Sequence, residues 1–154
     1  MELTTPAAKG LERAFAVFLK DLEALPHSAF NQSFGPATRT VADIVYEVNM
    51  VNDHIGMVVR GEEAPAWPDE GWIKAPFDFQ TKEAVIAGFK ASSDLALTTA
   101  AAINQEQMQS TVKTEQGDRT IEDRIRFMAI HIWYHSGQLN FIQTLLGDAG
   151  FHWN

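Results

Sequence analysis

Not one cysteine occurs among the 154 residues of this chain. Disulfides, thiolate nucleophiles, zinc ribbons and iron–sulfur clusters are thereby excluded together, and any metal must be held by His, Asp or Glu. No apolar run reaches the roughly eighteen residues that a membrane span requires, so none is expected. The first twenty residues, MELTTPAAKGLERAFAVFLK, have no basic start, and Glu12, Arg13 and Lys20 interrupt their apolar pattern. They are not read as a signal peptide. Positive charge is scarce: 12 basic residues face 20 acidic ones, for a net charge of −8, and no basic stripe is present. Such a chain repels phosphate backbones, so neither nucleic acid nor membrane is expected as a partner. The compartment expected is the cytoplasm. No glycine-rich phosphate loop is visible, because Gly56 and Gly61 have neither the fingerprint spacing nor a preceding strand. No nucleophilic triad is visible either, since Ser136 directly follows His135 and points elsewhere on a helix.

What is present suits one domain spanning residues 1–154, built from four helices. Thr5 can cap a first helix with Pro6 at its first position, and Leu11, Phe15, Phe18, Leu22 and Leu25 give its apolar stripe up to Pro26. Residues 27–39 read as a loop with a Gly35-Pro36 turn. Thr40 with Asp43 resembles a capping box for a second helix, whose face is Ile44, Val48, Val51, Ile55 and Val58 and whose stop is Gly61. Residues 61–80 form a long connection carrying Trp67 and Trp72, the kind of crossover that packs on a bundle. A third helix is expected over 81–106 on the weaker stripe Val85, Phe89, Ala96 and Ile103. Residues 107–118 read as an extended segment or loose loop. A fourth helix is expected from about Arg119 to Leu146, capped by Thr120 and stopped by Gly147.

The strongest chemical signal is HIWYHSGQL, residues 131–139. His131 and His135, spaced i, i+4, share one face of a helix one turn apart and can grip one metal ion. They fall among Met128, Ile132 and Leu139 on the core side, where two unpartnered imidazoles are costly. A third ligand has two candidates on the second helix, Glu47 and His54, seven residues apart on one face. Glu47 is the more surprising, a carboxylate beside an apolar stripe. His27 and His152 are read as structural. Trp67, Trp72, Phe77, Phe79, Trp133 and Tyr134 either line a pocket mouth or simply pack.

Four segments carry a family resemblance over nearly the whole chain: TVADIVYEV (40–48), the Trp- and Pro-containing crossover, GDRTIEDRI (117–125) and HIWYHSGQLNFI (131–142). Together they resemble the DinB-like superfamily of bacterial metal-binding bundles. The resemblance implies an all-α four-helix bundle, up-down-down-up, with the crossover between helices 2 and 3. It implies a three-histidine site for a divalent ion (nickel or zinc, with iron or manganese as further choices), of which His131 and His135 carry over. Counting from Thr40, the third ligand position holds Glu47 instead of histidine, and His54 stands as its alternative. Two imidazoles and a carboxylate remain a sound donor set. The activities implied are metal-dependent transfer with low-molecular-weight thiols and a thiol-dependent isomerisation, on a small-molecule substrate, in a homodimer; the ligand set itself also suits a metal-dependent hydrolase. The competing expectation is a non-catalytic or degenerate bundle that binds a small ligand without metal chemistry.

Overall fold

In the computed structural model, which describes residues 2–68, 71–114 and 117–154, four helices carry the chain: α1 (Pro6–Ala24), α2 (Val41–Val59), α3 (Lys82–Ala101) and α4 (Ile121–Leu145). Each begins with a threonine whose hydroxyl accepts from the backbone N–H three residues on: Thr5 from Ala8, Thr40 from Asp43, Thr81 from Ala84 and Thr120 from Asp123. At α2 the box is complete, with the Asp43 carboxylate accepting from the Thr40 N–H. These bonds satisfy N–H groups that a helix start leaves without partners. Gly61 and Gly147 end α2 and α4 with φ of 74° and 88°. In both ends the amide beyond the glycine reaches back to the fifth residue before it, Glu62 to Met57 and Asp148 to Gln143. A side chain at either glycine would strain this left-handed turn.

Cross-helix contacts fix the directions. Asn52 of α2 and Arg60, just past its end, reach Ser92 and Thr99 of α3, so these two helices run parallel. Arg39, just before α2, and Glu47 within it meet Gln138 and His131 of α4, so these run antiparallel. Phe15 and Phe18 of α1 pack on Phe89 of α3, while Lys82 of α3 donates to the carbonyls of Glu23 and Leu25, so α1 and α3 also oppose one another. The bundle is therefore up-down-down-up, with the parallel pair α2–α3 joined by the long crossover. Its core includes Phe18, Phe30, Phe89, Leu11, Leu22, Ile55, Met108, Met128, Ile132 and Leu139, all nearly inaccessible. A second polar joint ties α1 to α4. The buried Asp21 accepts from the Ser136 hydroxyl and from Trp153 Nε1 at 2.7 Å, which pins the C-terminal tail to the bundle. Burial pushes the Asp21 carboxyl up despite these bonds.

Three sequence expectations are corrected. Helix α3 stops at Ala101 and not at 106, and Ile103 lies beyond it, only partly buried. Val59 takes the core position expected of Val58, which turns toward a cavity. Helix α4 starts at Ile121 and not at Arg119, because Arg119–Thr120 form a strand β2 paired antiparallel with β1 (Thr111–Val112), the extended part of 107–118, which follows a 3-10 turn at Gln107–Gln109. The crossover packs as expected through Trp67 and through Ala75, whose N–H donates to Asp43 at 2.8 Å; residues 69–70 and 115–116 lie outside the described residues.

Candidate metal centre

Glu47 lies on the α2 face that turns to α4, between the buried Ile44, Val48 and Val51. His131 and His135 lie on the facing stripe of α4, one turn apart. The antiparallel packing brings the three together. His135 Nε2 is 3.0 Å from His131 Nε2, and Glu47 Oε1 is 3.5 Å from His131 Nε2 and 3.7 Å from His135 Nε2. All three donor atoms lie within 4.8 Å of one another. The side chains are 16%, 13% and 0% exposed for Glu47, His131 and His135, so the cluster is a lined recess and not a surface accident. His54 does not join it. Its ring stands edge-on to Trp67, 6.0 Å away, on the wall of the same cavity.

Two residues that the sequence reading left unassigned complete the arrangement. Gln138 Oε1 lies 2.8 Å from His135 Nδ1. An amide oxygen only accepts, so Nδ1 carries the proton and Nε2 presents a lone pair to the cluster. Arg39, buried ahead of α2, donates to Glu47 Oε2 and stacks over the Trp72 ring at 4.6 Å. The carboxylate is thus divided, with Oε2 held by a guanidinium and Oε1 turned to the histidines. The His131 and His135 imidazoles beside it, together with the Arg39 charge, hold the Glu47 carboxyl far below the usual carboxylate range. Burial pushes His135 down, which favours the neutral, ligating form of imidazole.

The cluster opens into a cavity of about 810 Å³ between α2, α4, the start of the crossover and β1. The donor set fits a divalent ion: two imidazole nitrogens and one ionised carboxylate oxygen converge, one imidazole is oriented from behind by Gln138, and the cavity leaves room for further ligands. Among the aromatic residues singled out in the sequence, Trp67 lines this cavity, while Trp72 and Tyr134 line a second of about 430 Å³. Phe79 packs on Tyr46, Trp133 packs on Trp153, and Phe77 stands in solvent.

Known proteins add the lineage. A conserved protein from Enterococcus faecalis superposes with a TM-score of 0.71 at 16% identity, over 96% of this chain and 99% of that one. A DinB-like protein from Bacillus cereus superposes with a TM-score of 0.73 at 12% identity, over 92% and 91%. At such identities these two speak for the fold alone. No curated protein matches the sequence. The family model described as the DinB superfamily matches residues 10–139, which take in most of α1, all of α2 and α3 and all three residues of the cluster, and on that match this chain belongs to the DinB superfamily.

Proposed function

We propose that this protein is a divalent-metal enzyme in which Glu47, His131 and His135 hold one ion at the inner end of the 810 Å³ cavity, and that its reaction is transfer to or from a low-molecular-weight thiol. The observation that carries this reading is the convergence of three donor atoms, one on a fully buried imidazole, at the wall of an open cavity. When bound, a divalent ion there supplies a Lewis acid that lowers the pKa of a thiol or water. The chain's own groups do the rest. Gln138 keeps the His135 proton on Nδ1, Arg39 keeps Glu47 ionised, and Val51, Ile55, Val58 and Phe127 line the cavity with apolar surface. A metal-dependent hydrolase would use the same donor set with water as the nucleophile.

The test is metal content by mass spectrometry, on protein purified without a histidine tag. Near-stoichiometric zinc or nickel is expected in the wild type and less than about a tenth of it in Glu47→Ala, since removing even an outer partner of a ligand typically costs 10–100-fold in affinity. Absence of metal after reconstitution would count against the enzyme reading.

The second reading, a bundle without metal chemistry, has its own observation. The Arg39–Glu47 pair and the His131–His135 bond already satisfy much of the cluster's polarity internally. Under it, neither zinc nor chelator shifts the melting temperature.

We also propose that the protein works in the cytoplasm as a homodimer. Ile130, Tyr134, Phe141 and Leu145 form an exposed apolar stripe along the outer side of α4, of the kind that pairs with a second copy. Light scattering is expected to give twice the 17.1 kDa chain mass, and Phe141→Glu to give the single chain.

A further inference from the structure

Arg124 lies two turns before His131 on α4, which places it about 10 Å along the helix from the metal ligands. It lines the same cavity. Between them Phe127 bridges the two, its ring stacked on His131 at 6.1 Å and carrying the Arg124 guanidinium 5.2 Å above its face. Among the described residues Arg124 has no acidic partner, and its buried Nε has no hydrogen bond. Arg39, Arg60 and Arg126, by contrast, are each paired with a glutamate. The cavity's own acids cannot serve it: Glu47 is held by Arg39, and Glu62 takes a two-pronged bond from Arg60 at 2.7 Å on each oxygen. Burial and the charge of Arg119 both work against the guanidinium's cationic form, so an anion arriving there is favoured twice over. Lys113 stands exposed at the same rim and adds a second positive charge.

We propose that the cavity binds a small amphipathic carboxylic acid, its carboxylate on Arg124, its apolar body across Phe127 against Val51, Ile55 and Val58, and its other end at Glu47, His131 and His135. A planar guanidinium matches a carboxylate with paired hydrogen bonds, and a single negative charge suits a cavity whose inner cation is the half-buried Arg124. The identity of the reactive end rests on the metal reading above; the anionic end does not.

The probes are octanoate and its uncharged analogue octanamide, titrated by calorimetry into the full chain, both as purified and after chelation. Wild type is expected to favour octanoate by about tenfold or more in both states, as a charge-assisted pair provides. Arg124→Gln is expected to erase that preference and Arg124→Lys to keep part of it. Arg126→Gln, at an exposed residue paired with Glu122 outside the cavity, keeps it in full. Equal affinity for the two probes, no octanoate binding at millimolar concentration, or a preference that survives Arg124→Gln overturns the proposal. So does a preference that vanishes on chelation alone, because a metal and not Arg124 would then be holding the carboxylate. Protein that takes up no zinc or nickel even on reconstitution, yet keeps the preference, sinks the metal reading and leaves this one standing.

Discussion

Replacing His135 with alanine is expected to weaken zinc or nickel binding by more than about a hundredfold, the upper end of what loss of a mere outer partner costs. Of the three donors His135 is the best prepared. It is fully buried, its tautomer is set by Gln138 at 2.8 Å, and burial keeps it neutral. The change also leaves Gln138 and Arg39 facing a hole lined by Tyr134 and His131, so the metal-free protein should lose about 1–3 kcal/mol from polar groups left without partners. Competition against a chromophoric chelator reads the first effect and thermal unfolding the second. His54→Ala, on the cavity wall but outside the donor cluster, should change metal affinity by less than about twofold by the same arithmetic. If His135→Ala retains full metal occupancy, the ligand assignment is wrong, and if His54→Ala loses it, the third ligand is on the wrong residue.

Much of this was legible in the sequence, for physical reasons that can be named. Thr5-Pro6, Thr40 with Asp43, and Thr120 with Asp123 mark helix starts because their side chains answer N–H groups that every helix start exposes. Gly61 and Gly147 mark stops because only glycine takes a left-handed φ freely. The end of α3 was not legible. That helix buries Ser92, Ser93, Ala96, Thr99 and Ala100 against its neighbours, small residues whose pattern hardly differs from an exposed one. Beyond it Asn104 and Gln107 bond reciprocally to each other's backbone N–H at 2.9 Å, and this local closure carries no periodic signal. The site divides the same way. His131, His135 and Glu47 could be found because helical spacing tells which residues share a face. Arg39 sits in a loop, where no period tells which way a side chain points, and Arg124 reads like any charged residue until its missing partner is seen in three dimensions. Gln138 stood inside the HIWYHSGQL motif, but its role depends on the His135 rotamer.

Arg39 separates two things a buried cation can do here, because Arg39→Met should push stability and metal affinity in opposite directions. Its side chain is 6% exposed and bonded to Glu47, which is 16% exposed. Removing one partner of such a pair typically costs about 3–5 kcal/mol, because the other charge stays buried without its partner. The melting temperature of metal-free protein should therefore fall, and Trp72 should lose the cation it covers. The size of the fall depends on pH in a determined direction. Wild-type Glu47 has its pKa depressed by His131, His135 and Arg39, so its contribution is present above the unfolded carboxyl pKa of about 4.3 and fades as pH drops below it. The variant lacks the Arg39 part of that contribution, so the two melting curves should run apart above about pH 5 and begin to draw together only as the pH falls below about 4.3. Metal affinity should move the other way. Arg39 competes for the Glu47 charge and adds a positive charge beside the place a divalent ion would take, and its removal should tighten zinc binding by about tenfold or more. A larger zinc-induced rise in melting temperature, from a lower metal-free starting point, is the combined signature. If zinc binding weakens instead, Arg39 acts chiefly by aiming Oε1 at the histidines, and Glu47 without it is no longer a competent ligand.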